Sequence, residues 1–256
     1  MKTALVLSAG GMFGAYQAGA WLALSEWFKP DMVVGASVGA LNGWPIAGAC
    51  RPGFPAERWM ESSAGQVLRL RHDKGFRHGW FDPEPLREQA RDLFRDYTPK
   101  VPFGLVVVKL SGLGARLVQY PEVTAEHLQA TASIPICLPP VRIGGQRYLD
   151  GGLIERLPVW AAVEMGATRI IAVDCLKLSN WWVRIGVGAF RRLKRHHKLP
   201  ADLDLEVIAP EGPMGNCADA VFWKRENIAR WIDMGARDAA RLRKGPSSAN
   251  GFDPLQ

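Results

Sequence analysis

The residues best suited to do chemistry lie in GASVG at 35–39, a G-x-S-x-G pattern centred on Ser37. A serine hydroxyl becomes a useful nucleophile only when a neighbour takes its proton. A sharp strand-to-helix turn lifts such a serine out of a sheet, and small flanking residues let other backbone approach it. Gly35 and Gly39 hold those flanking places. A helix beginning after Ser37 adds partial positive charge where an oxyanion would form. Taken alone, the pattern reads equally as a small-residue turn with Ser37 as a plain N-cap.

A second cluster is SAGGMFG at 8–14, directly after an apolar run. Glycines opening a helix leave backbone N–H groups unpaired. Such groups can cradle a pyrophosphate or stabilise a tetrahedral oxyanion. The dinucleotide reading fits badly. Its first glycine would be Ala9, and the second strand ends on a candidate nucleophile rather than a ribose-binding acid. A third cluster is LDGGL at 149–153. An aspartate before two glycines is most often a turn residue. Beside an activated serine, Asp150 becomes a candidate base. A carboxylate in water has a pKa near ~3.9 and is a weak base; partial burial raises it toward usefulness.

These clusters need elements to hold them. ALVL at 4–7 and MVVG at 32–35 read as strands buried on both faces. Residues 15–27 carry apolar side chains at helical spacing, closed by Pro30, and a helix follows Ser37 to about Ala49. This strand–helix–strand–helix rhythm predicts a parallel sheet. Further helices are expected at 83–97, 124–133, 158–165 and 218–243, with Thr124 as an N-cap. Further strands are expected at 103–110, 115–120, 169–174 and 203–210, with a hairpin at 141–149 around Gly144 and Gly145. The segment 51–82 is turn-rich and mixed. Pro45 falls inside the helix after Ser37 and should kink it near Leu41.

Composition sets the class. The chain has 256 residues, 48% of them apolar, with no repeat and no low-complexity linker. That suits one α/β domain with a buried core. The cysteines at 50, 137, 175 and 217 form no C-x-x-C pair, so free thiols in a reducing compartment are expected. The run from Ala4 to Leu7 is too short for a signal peptide, and no stretch of 18 apolar residues occurs. The expected place is therefore the cytoplasm, with at most peripheral contact with a membrane.

Three blocks, in this order, resemble the patatin-like phospholipase family: the glycine-rich loop, the early G-x-S-x-G and the later D-G-G. GASVGALNG resembles the family's nucleophile block closely. ATASIPICLPPVRIGGQRYLDGGLIERLPV at 130–159 is a long and specific match, and GWFDPEPLRE at 79–88 resembles the middle segment. The resemblance implies a three-layer α/β/α fold with a mostly parallel central sheet. It implies a Ser37–Asp150 dyad and an oxyanion hole of backbone N–H groups from Gly10, Gly11 and Met12. It implies a carboxylic ester hydrolase acting on lipid acyl esters, with no metal or organic cofactor. Two positions depart from the family: Ala9 stands where it usually has Gly, and Phe13 where it usually has Arg or Lys.

Alternatives remain. A Ser–Asp–His triad would need His196 or His197, which sit in the charged run RRLKRHHK. His72, His78 and His127 read as surface or partly packed residues. A catalytically silent lipid- or acyl-binding protein on the same fold is a reading from another class. The formal charge of +7 favours anionic partners. Residues 180–198 place tryptophans and aliphatic residues on one helical side and basic residues on the other. A helix packed on its own core is the simpler reading; docking on an anionic membrane is the alternative. Nucleic acid fits poorly, since the basic residues form one local patch without a binding motif. One hydrolase domain over 1–243 and a tail over 244–256 are expected.

Overall fold

The computed structural model describes residues 1–62, 69–70, 79–112, 114–176 and 198–243. The basic stretch at 180–198, apart from Lys198, lies outside the described residues, as do His72, His78, His196 and His197.

The chain begins with β1 (Thr3–Leu7), a 3-10 turn (Gly11–Phe13), α1 (Gly14–Leu24), β2 (Met32–Ala36) and α2 (Val38–Ala47). Then come α3 (Phe54–Glu61), β3 (Arg69–Leu70), β4 (Phe81–Asp82) and α4 (Glu84–Asp96). The middle holds β5 (Phe103–Lys109), β6 (Gly114–Gln119), α5 (Ala125–Thr131), β7 (Val141–Ile143) and β8 (Gln146–Asp150). A second 3-10 turn (Gly151–Leu153), α6 (Val159–Glu164), β9 (Arg169–Val173), β10 (Asp204–Ile208) and α7 (Arg225–Leu242) complete the described elements.

The main sheet runs in the order β10–β9–β1–β2–β5–β8–β7, with β6 also on β5. Strands β10, β9, β1, β2 and β5 are mutually parallel. Strands β6, β7 and β8 join antiparallel. Short apolar strands with no polar face require cover on both sides, and the alternation shows it. Leu5, Leu7, Val33, Leu105 and Ile171 face one core with α1, α2 and α7. Ala4, Val6, Val34, Val106 and Ile170 face a smaller core against α6. The expected three-layer arrangement, a mostly parallel sheet flanked by helices, is what the chain adopts.

One detail of the sheet decides the site. Strand β6 occupies one edge of β5 from Gly104 to Lys109. The other edge is shared by two strands end to end. β2 pairs along the first half and finishes with Ala36 opposite Val106. β8 comes from the opposite direction and finishes with Asp150 opposite Val107. Two strand ends far apart in sequence therefore meet head to head on consecutive residues of β5, and Ser37, just past one of them, lies 113 residues from Asp150.

Two expectations of local structure change. The turn-rich segment contains an amphipathic helix, α3, opened by Pro55 and burying Trp59. The last helix begins at Arg225, not at 218. The Asn216 side chain accepts from the amides of Ala218 and Asp219, and Phe222 N–H closes a turn on Ala218. Those local bonds compete with helix and turn residues 218–222 back over the glycine loop. Pro45 lies inside α2, as expected. Among the described residues, no helix is long and apolar enough to cross a membrane.

Candidate active site

Ser37 occupies the turn between β2 and α2 with φ 55° and ψ −130°. A non-glycine residue there carries strain of about 1–3 kcal/mol, which the surrounding structure must hold. The neighbouring glycines explain how. A Cβ on Gly35 would lie 2.5 Å from the Ala40 amide nitrogen, and one on Gly39 would lie 2.3 Å from the Leu7 carbonyl oxygen. The turn is tight enough that only glycine fits two residues before and two residues after the serine. The amides of Ala40 and Leu41 donate to the Ser37 carbonyl and start α2. The Ser37 amide itself donates to Thr131 Oγ1 at 3.0 Å, and Thr131 Oγ1 donates to the Val106 carbonyl at 2.7 Å. Thr131 therefore ties the elbow to β5.

The Ser37 hydroxyl donates to Asp150 Oδ2 at 2.7 Å. Both residues are 3% exposed. The other carboxylate oxygen, Oδ1, accepts from the Gly152 amide at 2.7 Å, so the aspartate caps its own 3-10 turn. Gly151 and Gly152 are required by contact: a Cβ on Gly151 would lie 2.1 Å from the Val106 carbonyl oxygen, and one on Gly152 would lie 2.1 Å from Ala9 Cβ. Burial pushes the Asp150 carboxyl up to about 7, and the bonds from Ser37 and Gly152 only partly oppose that. The pair is thus a hydroxyl held against a carboxylate that half-ionises near neutrality.

The glycine loop lies beside this pair. Gly11 has φ +56°, and a Cβ there would lie 2.2 Å from the Ala220 carbonyl oxygen. A Cβ on Gly10 would lie 2.4 Å from Cys175 Sγ. The expectation for Met12 needs correcting. Its amide donates to the Ala220 carbonyl at 2.9 Å, because the turn at 218–222 folds over the loop. That donor is already spent. The amides of Gly10 and Gly11 have no such partner among the described residues. Phe13, in the place where the family usually has a cation, is fully buried with its ring edge-on to Trp231 at 4.8 Å. It serves the contact between α1 and α7.

Ser37 lines a cavity of about 80 Å³ together with Gly11, Met12, Val38, Leu41 and Leu86. Trp59, Ile134, Leu138 and Val221 add further apolar wall, and Arg58 with Gln89 supplies a polar edge. Such a space suits an aliphatic chain ending at the serine.

Several residues that hold this site escape a reading of motifs. Thr131 sits in the long stretch that resembles the family, but nothing in its type marks it as the anchor of the elbow. Arg156 follows the D-G-G turn, and its Nη1 lies 2.8 Å from Asp174 Oδ2 and from the Leu176 carbonyl, fastening that turn to the end of β9. Gln17 and Asn42 bond to each other at 3.0 Å between α1 and α2. His127, by contrast, accepts from the Thr124 amide at the start of α5.

A strained serine at a strand end, a buried carboxylate against its hydroxyl and an apolar cavity thus meet on the mostly parallel sheet of an α/β protein. The family model described as patatin-like phospholipase matches residues 5–163. The chain belongs to that family. It is similar to patatin-like phospholipase domain-containing protein 7 of Rattus norvegicus, with 26% identity over 70% of this chain and 15% of that protein. It is similar to lysophospholipase NTE1 of Mycosarcoma maydis, with 26% identity over 72% of this chain and 11% of that one. The chain therefore spans a small part of the curated relatives it matches. Among solved structures, VipD from Legionella pneumophila shares the fold, with a TM-score of 0.52 at 13% identity, covering 95% of this chain and 66% of that one.

Proposed function

We propose that this protein is a serine lipid acyl hydrolase of the phospholipase A or esterase type, with Ser37 as nucleophile and Asp150 as its base. The observation that carries the reading is the 2.7 Å contact from Ser37 Oγ to Asp150 Oδ2 at the wall of an apolar cavity. Its family membership and a lysophospholipase among its relatives support lipid esters as the substrate class.

The cycle has two halves. Ser37 Oγ attacks the ester carbonyl carbon and passes its proton to Asp150 Oδ2. The carbonyl oxygen becomes an oxyanion facing the glycine loop, where the Gly10 and Gly11 amides and the N-terminus of α2 stabilise it. Each well-placed donor is worth about 3 kcal/mol. The bond to the alcohol breaks, and Asp150 returns its proton to that oxygen. Water then attacks the acyl-Ser37 ester while Asp150 takes a proton. Collapse frees the fatty acid, and the proton returns to Ser37. No step calls for a metal or organic cofactor.

The test is labelling with a fluorophosphonate together with hydrolysis of short- and long-chain acyl esters. The wild type should label and turn over, and Ser37→Ala should do neither. A wild type that neither labels nor hydrolyses any acyl ester would leave only a lipid binder.

A further inference from the structure

Two segments line the Ser37 cavity and a third lies against them, and each carries one large apolar side chain exposed to solvent. In the segment before α4, Phe81 is buried, while its neighbour Trp80 is 50% exposed. In the loop after α5, Ile134, Cys137 and Leu138 line the cavity, while Ile136 is 72% exposed. In the turn before α7, Ala220 and Val221 line the cavity, while Phe222 is 45% exposed. The segments touch one another. Trp80 N–H donates to the Ile136 carbonyl at 3.2 Å, Phe81 N–H donates to the Cys137 carbonyl at 2.9 Å, and the Phe81 and Phe222 rings are 6.2 Å apart. Leu70, opposite Phe81 across the β3–β4 pair, is also half exposed.

Ile136 adds an independent observation. Its φ is 70°, a left-handed conformation that a β-branched residue adopts at a clear cost. The backbone bends the wrong way for isoleucine and leaves the side chain in solvent. Neither packing nor local preference accounts for an isoleucine there. An exposed cluster of this kind marks a surface that meets something apolar.

We propose that Trp80, Ile136 and Phe222 form a collar that docks the mouth of the cavity on a phospholipid surface. This rests on the hydrolase reading, in which an acyl chain must pass from a lipid aggregate to Ser37. The collar is continuous with the cavity wall, so a lipid surface seated on it delivers chains directly inward. A protein seated in the same place would cap the entrance. The tryptophan suits headgroup depth, and the isoleucine and phenylalanine suit the acyl boundary.

The experiment is flotation with vesicles of dioleoylphosphatidylcholine, whose zwitterionic surface removes net-charge attraction. It uses the full chain in a Ser37→Ala background, so that no lipid is consumed. Trp80→Ser, Ile136→Asn and Phe222→Ser should each weaken binding about tenfold, the effect of withdrawing one apolar side chain from a membrane. Asparagine tolerates positive φ, so Ile136→Asn should melt at or above the wild-type temperature and decides the matter if the triple variant fails to fold. With Ser37 restored, vesicle hydrolysis should fall with binding while hydrolysis of a soluble short-chain ester stays constant. Equal flotation of wild type and Ile136→Asn overturns the proposal. So does a wild-type dimer that the substitutions split without changing flotation, since the collar would then serve a second copy of the chain. Loss of flotation in the variants beside a wild type inactive on every soluble ester would keep the docking surface and remove the hydrolase reading.

Discussion

Two adjacent parallel strands each carry a serine just past their carboxyl ends, and the two serines have opposite fates. Leu7 of β1 is in register with Gly35 of β2, so Ser8 and Ser37 lie about one residue apart in height. Both are buried. Ser8 Oγ accepts from the Cys175 amide at 3.0 Å and lies 3.4 Å from both Cys175 Sγ and Gln17 Nε2. Its hydrogen-bond partners are neutral; burial pushes the Cys175 thiol up to about 12, so it cannot serve as a base near neutrality. Ser37 meets a carboxylate that titrates near 7 and faces the cavity. Position at a strand end and burial are shared. What differs is a basic partner, an opening and a strained backbone. Ser8 knots β1, α1 and the end of β9 together, whereas Ser37 is held in a strained turn against a buried carboxylate.

Substitution can break this contrast or sharpen it. The largest effect is expected for Ser37→Ala, which should lower kcat on a soluble ester by on the order of 10⁴-fold or more. Ser8→Ala should leave kcat within about threefold, since that hydroxyl supplies only ordinary hydrogen bonds. Comparable losses from the two would mean that the two serines are not separable. Asp150→Asn should come next, with a loss of about 10³–10⁴-fold, because an amide cannot accept the proton.

The proposed base also predicts a pH response. The base must be ionised, so kcat/KM in the wild type should climb with pH through an inflection at about 7. Its folded-state pKa is raised above the unfolded value, so its contribution to stability is greatest at low pH. That contribution falls away between about 4 and 7. Urea melts should therefore show Asp150→Asn gaining on the wild type above neutrality and losing that advantage near pH 4. A flat pH–rate profile would contradict the assignment of Asp150 as base.

Gly11→Ala tests the loop. Its Cβ would meet the Ala220 carbonyl at 2.2 Å in a left-handed backbone, so both activity and melting temperature should drop. Thr131→Val is the smallest effect. It leaves the Ser37 amide buried without a partner, at a cost of about 1–3 kcal/mol in a urea titration. If kcat falls further than the change in folded fraction explains, Thr131 positions the nucleophile as well as stabilising it.

Much of this was legible in the order of residues. Short apolar runs such as ALVL and MVVG, ended by turn residues, read as strands covered on both faces. G-x-S-x-G and D-G-G announced tight turns, because a Cβ at Gly35, Gly39 or Gly151 would collide with backbone. The boundaries of α7 and the existence of α3 were harder. Asn216 diverts its segment into a turn by side-chain bonding, and α3 has only eight residues in a turn-rich stretch. The Met12 amide illustrates the limit most sharply. Its sequence neighbours make it an apparent oxyanion donor, yet a carbonyl 208 residues away accepts its hydrogen bond.

The sequence by itself determined which residue types could react and which turns had to be glycine, since those depend on local sterics and short-range chemistry. Only the tertiary structure decided that β2 and β8 end face to face on one edge of β5, placing a hydroxyl 2.7 Å from a carboxylate. It also decided that Asp150 would be desolvated while Ser8 found only neutral partners. Burial and long-range register are properties of the packed whole, because each depends on chain segments that meet only after folding.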